Sequence, residues 1–215
     1  NDEKRYLAPI RIEEAYASEA DDPNKSHIVL GWLLGRSTDL SDLFKSQLLS
    51  GVLLDNSASP LLKILETSEL GSSPSPLCGL EDSNREMSFM AGLEGCAASS
   101  GVEVEALVLD SLQQIVDNGV VQDQVEAALH QLELNQREIT GDSYPYGLQL
   151  ILTGLSTAMH RGDPIKLLNI DSVLEELRTA VKDKQFIPGL VKELLLENPH
   201  RITLTLKPDC ELDDR

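Results

Sequence analysis

From Val102 onward the apolar residues recur with a helical period for about 95 residues, and the chain then closes on "HRITLTLKPD", where Ile202, Leu204 and Leu206 alternate with Arg201, Thr203 and Thr205. A lone strand after so many helices cannot pair its own backbone groups, so it must return to a sheet laid down earlier in the sequence. The first hundred residues supply that sheet. "APIRIEEAYAS" and "SHIVLGWLLG" read as two strands joined by the polar turn "EADDPNK", and the near-continuous apolar character of the second places it in the centre. They are expected to form a hairpin. "SPLCGLEDSNREMSFMAGLEGC" reads as another strand pair around "DSN", with Met87, Phe89 and Ala91 on one face and Gly92 and Gly95 marking a bulge or an edge. Each strand pair, and the final strand through Ile202, Leu204 and Leu206, offers an apolar face for a shared helical layer to cover.

Between the strand pairs, residues 38–54 place Leu40, Leu43, Phe44, Leu48, Val52 and Leu53 at helical spacing, with Thr38 or Asp39 positioned to cap. "NSASPLLKILETSELG" restarts a helix, capped by Ser57 or Ser59 with Pro60 in the first turn, and Gly71 stops it. The long helical region divides into four or five segments at Asn118-Gly119, Gly141-Asp142, Gly162-Asp163-Pro164 and Pro188-Gly189. The order β-β-α-α-β-β-α-α-α-α-α-β is neither a regular βαβ alternation nor a bundle. It predicts an α+β fold, a mainly antiparallel sheet with a layer of helices on one face, as one domain over residues 1–215.

Charge narrows the partners. Asp and Glu number 36 against 18 Lys and Arg, a formal charge of −18, which opposes binding of nucleic acid through its phosphates and favours basic ligands such as basic peptides. No apolar run reaches the roughly 20 residues of a membrane span. Cys78, Cys96 and Cys210 have no C-x-x-C spacing, so a reducing compartment, cytoplasm or organelle matrix, is expected. The start "NDEKRYLAPIRIEE" has neither an initiating Met nor a signal-peptide region, and the chain is expected to be a piece of a longer gene product.

Two stretches invite a chemical reading. "HQLEL", residues 130–134, fits four positions of H-x-x-E-H, in which two histidines on one helical face hold zinc and the glutamate activates water. The fifth position is Leu134, and His27, His160 and His200 are not spaced to replace it. His130 and Glu133 are therefore assigned to the edge of an ordinary amphipathic helix whose stripe is Val125, Ala128, Leu129, Leu132 and Ile139, and no metal ligand is assigned. No G-x-S-x-G elbow is present, Glu13-Glu14 and Glu175-Glu176 read as solvated faces, and no catalytic residue is assigned. "GDSYPYG", residues 141–147, sets two tyrosines about a proline ahead of "LQLILTGLSTAM", a helix apolar almost all round that needs cover on most sides. It is either a packed interhelical turn or an aromatic wall of a binding surface.

"VEAALHQLELNQRE" followed by "GDSYPYGLQLILTGLSTAMHRGDPIKLL" resembles a segment of presequence protease-like and falcilysin-like peptidases, a branch of the pitrilysin (insulinase) zinc metallopeptidase superfamily. "SHIVLGWLLG", "LLDNSASPLLKILETSELG" and "NPHRITLTLKPD" resemble further segments in the same order, so the likeness spans essentially the whole chain. The resemblance implies a large peptidase of four homologous α+β domains in two halves that close on a chamber where short unstructured peptides are cut. Zinc and H-x-x-E-H would belong to the first domain. This chain would be the second, non-catalytic domain, with the catalytic domain and the C-terminal half as intramolecular partners, no cofactor of its own, and Tyr146, Leu148 and Leu150 as candidate substrate contacts. The family often has Phe where Tyr146 stands. A processing-peptidase-like or respiratory-complex-core-like assembly subunit, or a stand-alone peptide-binding module, are the alternatives.

Overall fold

The computed structural model describes residues 2–19, 22, 24–137, 145–166 and 169–212. Its strands are β1 (Ile10–Ala17), β2 (Ser26–Arg36), β3 (Ser73–Pro74), β4 (Gly79–Glu81), β5 (Glu86–Cys96) and β6 (Arg201–Asp209). Its helices are α1 (Leu40–Leu54), α2 (Pro60–Thr67), α3 (Gly101–Asn118), α4 (Gln122–Arg137), α5 (Tyr146–Met159), α6 (Asp171–Ala180) and α7 (Phe186–Val191), the last running on as a wider π turn over Lys192–Leu196. All six strands form one sheet in the order β1-β6-β2-β5-β3, with β4 also on β5. Every pairing is antiparallel except β1 with β6. The fold is α+β with a mostly antiparallel sheet, as the element order predicts.

The local signals explain most of these bounds. Asp39 caps α1 by accepting a hydrogen bond from the Asp42 backbone N–H at 3.1 Å. Pro60 opens α2, where its missing N–H has no partner to lose. Pro188-Gly189 lies inside α7 instead of dividing two helices, because Pro188 is the third residue of that helix and still within the turn whose N–H groups are unpaired. Gly92 is neither bulge nor edge: a Cβ there would lie 2.1 Å from the Ile28 carbonyl oxygen, so its bare backbone lets β5 press against β2 at the centre of the sheet.

Two strand expectations are corrected. β1 and β2 run antiparallel but do not form a hairpin, because β6 fills the slot between them. The faces of β6 are also reversed. Thr203 and Thr205, 4% and 6% exposed, look toward α3, while Ile202, Leu204 and Leu206 look to the opposite side.

The reason lies in a buried carboxylate on α3. Glu105 accepts from Arg11 Nε at 2.8 Å, Thr203 Oγ1 at 2.9 Å and Arg201 Nη2 at 3.3 Å, which ties α3 to both β1 and β6. Burial alone would raise the Glu105 carboxyl, but the hydrogen bonds from Arg11 and Thr203 and the charges of Arg11 and Arg201 outweigh it and hold its pKa below the ordinary value. Turning β6 over would put Ile202 and Leu204 on this carboxylate and take Thr203 and Arg201 away from it, leaving Arg11 as its one partner of the three.

The main core packs Ile28, Leu30, Trp32, Phe89 and Met87 of the sheet against Phe44, Leu48, Leu112, Leu174 and Val191 of the helices. Trp32 Nε1 donates to the Leu195 carbonyl at 2.8 Å and fixes the π turn over the sheet. The second sheet face is apolar as well. The register sets Ile10, Ile202, Gly31 and Met90 in one row and Ile12, Leu204 and Val29 in the next. Apart from Val29, the side chains of these two rows are half-buried, so the second face keeps part of its surface in solvent.

Candidate functional site

On α4, Val125 and Leu129 face the core at 4% and 6% exposure, which turns His130 to solvent and Glu133 toward α6. Both Glu133 oxygens are engaged by Arg178 of α6, at 2.7 Å from Nε and 3.0 Å from Nη2, and Arg178 Nη1 also reaches Glu175 at 2.9 Å. The bidentate carboxylate raises the Arg178 pKa further above its ordinary value. The glutamate of H-x-x-E-L is thus a helix-to-helix clamp. Among the described residues no group of three or more His, Cys, Asp or Glu could hold a metal ion, and His130 with a committed Glu133 does not fit zinc. Cys78 and Cys96 suit neither nucleophilic attack nor metal binding, since burial raises both thiols, Cys96 to about 11.

The sequence places α5 under cover on most sides; among the described residues it is exposed along one side. Leu148, Ile151, Leu152, Leu155 and Met159 are 40%, 66%, 50%, 49% and 70% exposed. Their spacing puts them on one stripe of the helix. Of the three candidate contacts, Leu148 is exposed at the start of this stripe. The side chains of Tyr146 and Leu150 lie outside the described residues, as do residues 141–144 of the tyrosine loop.

The C-terminal end of α5 is anchored. Thr157 is 6% exposed, and a Cβ on Gly162 would lie 2.6 Å from Thr157 Cγ2 and 2.7 Å from Thr38 Cγ2, so only glycine allows this turn to close on the start of α1. Arg161 takes the left-handed conformation, φ 64°, that reverses the chain after the helix. His160 Nε2 donates to the Ser83 carbonyl at 2.8 Å, joining α5 to the β4–β5 turn.

Beside this anchor Asp2, Arg36, Thr38, Arg85, His160 and Arg161 line an open polar cleft of about 370 Å³. The Asp2 carboxylate bridges Arg36 and Arg85, the latter through Nε at 2.9 Å, and these partners hold its pKa below the ordinary carboxylate value. The Arg161 guanidinium has no hydrogen bond or ion pair among the described residues. A local concentration of cations in a chain of charge −18 is not a consequence of composition. Nothing in the sequence signals it, because its members come from four separate segments.

A family profile described as "Peptidase M16 inactive domain" matches residues 3–132. Presequence protease 1, chloroplastic/mitochondrial, of Arabidopsis thaliana is 33% identical over 215 residues, which cover 97% of this chain and 20% of that protein. The mitochondrial presequence protease of Mus musculus is 32% identical over 221 residues, covering 93% of this chain and 21% of that protein. The chain therefore spans about one-fifth of the length of these relatives. Among solved structures, the peptidase M16 inactive domain from Pseudomonas fluorescens superposes with a TM-score of 0.63 at 14% identity, covering 97% of this chain and 45% of that one. No helix among the described residues is long and apolar enough to cross a membrane.

Proposed function

The chain belongs to the peptidase M16 inactive-domain family, and from that premise we propose that it is the second, non-catalytic domain in the N-terminal half of a zinc metalloendopeptidase that degrades short unstructured peptides. Its task is to support the catalytic domain and to supply part of the chamber wall. Hydrolysis by metal-activated water belongs to a zinc site elsewhere in the parent, and the isolated chain has no peptidase activity. The free thiols of Cys78 and Cys96 suit a reducing compartment.

The observation that carries this reading is the bare stripe of α5. Five large apolar side chains in one row on a helix are what a peptide-facing wall or an interdomain contact requires, and they are a liability on a domain that works alone in water. Tyr146, Leu148 and Leu150 at the head of that helix are the proposed contacts to apolar peptide side chains near the scissile bond. The half-buried second sheet face, with Ile10, Ile12, Ile202 and Leu204, is the proposed seat for the rest of the parent chain.

The test is protection. With Cys210 replaced by Ser and Ile151 by Cys in the full-length gene product, a saturating peptide substrate should slow maleimide labelling at residue 151 several-fold. Labelling that is indifferent to a peptide the enzyme cleaves would refute the wall assignment.

A further inference from the structure

The apolar stripe of α5 ends beside the cationic cleft. Met159, its last member, is two residues from Arg161, and Arg85 and Arg36 line the same cleft. Resting on the proposal that α5 faces bound peptide, we propose that this cleft is a carboxylate seat, which receives the C-terminal carboxylate of an extended peptide whose last residues lie along the stripe.

Charge complementarity chooses the occupant. The cleft combines three guanidinium groups, the Thr38 hydroxyl and one acidic group, Asp2. Asp2 already shows what the arginines accept: its carboxylate bridges Arg36 and Arg85, each of which it engages with a different oxygen. Arg161 also lines the cleft, is exposed to solvent, and its guanidinium has no counter-ion among the described residues. His160 Nε2–H donates to the Ser83 carbonyl, so that donor is not available to the cleft. Planar, forked donors of this kind match a carboxylate better than any neutral end group.

The dimensions agree. Residues 148 to 159 span roughly 16 Å at the helical rise, and an extended peptide covers that length in about five residues. A peptide anchored at Arg161 would lay its last five or so side chains on Met159, Leu155, Leu152, Ile151 and Leu148 in turn. The seat would thus recognise free-ended oligopeptides, and it would distinguish them from the same sequence inside a longer chain.

The experiment uses this 215-residue chain and three N-acetylated hexapeptides containing leucine, titrated at low ionic strength and followed by backbone amide NMR shifts. One peptide carries a free C-terminal carboxylate, one has the same sequence amidated, and one is amidated with Glu as its last residue. The free acid should bind about three- to five-fold more tightly than its amide, the gain expected of one exposed ion pair. Arg161→Gln should abolish that preference. Asp2→Asn should enlarge it, because two further arginines lose their internal partner, an outcome that a purely structural role for the cleft does not produce. Ile151→Ser should weaken acid and amide by the same factor.

Equal binding of acid and amide would overturn the carboxylate seat and leave the α5 wall standing. Failure of every peptide to bind the folded chain would overturn both. If the amide ending in Glu bound as tightly as the free acid, the assignment to a chain terminus would be overturned.

Discussion

Replacing Ile151 by Ser should cost this chain little, and the amount follows from its exposure. Full burial of an aliphatic side chain contributes about 1.5–3 kcal/mol. Ile151 keeps 66% of its surface in solvent, so only about a third of that, roughly 0.5–1 kcal/mol, can be lost. Leu174 of α6 is the control: it is 0% exposed in the main core, and Leu174→Ala should cost about 2–5 kcal/mol through transfer and cavity terms. The assay is urea unfolding followed by the fluorescence of Trp32, the one tryptophan, which is 1% exposed between the sheet and the π turn and loses its Leu195 hydrogen bond on unfolding. The midpoint for Ile151→Ser should stay near that of the unsubstituted chain while Leu174→Ala falls well below both, with unchanged slopes. A loss of more than about 2 kcal/mol for Ile151→Ser would mean that the stripe is packed within this chain, and the wall assignment would lose its ground.

Gly92→Ala should prevent or severely impair folding, since its Cβ would meet the Ile28 carbonyl at 2.1 Å and a strand backbone cannot yield by that much; a cooperative unfolding transition close to that of the unsubstituted chain would refute the close approach. Glu105→Ala should cost about 2–4 kcal/mol in the same urea assay by leaving Arg201 buried without its counter-ion. Because the folded carboxyl of Glu105 titrates below the ordinary value, its stabilisation is complete above the unfolded carboxylate range and is lost as pH falls through the folded pKa. Glu105→Gln should therefore flatten the acid limb of the stability profile, and an unaltered limb would contradict the ion-pair account.

Period and capping were enough to place most elements. The Asp39 cap, the Pro60 start, the buried row Met87, Phe89 and Ala91, and the return of the last strand to the sheet are all legible in the sequence. Strand neighbours were not. A strand's alternation fixes which residues share a face, but carries no information on which strand lies beside it, so β1 and β2 read as a hairpin although β6 separates them. Nor does alternation say which face meets the helices when both can be covered. The clue to the orientation of β6 was Glu105, a charge set among Val104, Val108 and Leu112 on the buried side of α3, which needs Arg and Thr opposite it. The H-x-x-E-L stretch is the edge of an amphipathic helix, as its spacing predicts, but the partner of Glu133 lies 45 residues away, beyond any local pattern. The apolar character of α5 was plain, and its bareness was not, because a sequence shows what a helix could bury and not what stands next to it.

If α5 is the peptide-facing wall of a larger peptidase, as proposed, peptide must cover its stripe. Leu148 and Ile151 expose 40% and 66% of their surface, together about one whole side chain, so covering them with peptide is worth roughly 1.5–3 kcal/mol. The decisive measurement is steady-state cleavage of a short unstructured peptide by the full-length protein carrying Leu148→Ala with Ile151→Ser. KM should rise about 10- to 100-fold while kcat changes little, the signature of lost uniform binding. A KM within two-fold of the unsubstituted protein's, in a variant that folds normally, would contradict the account.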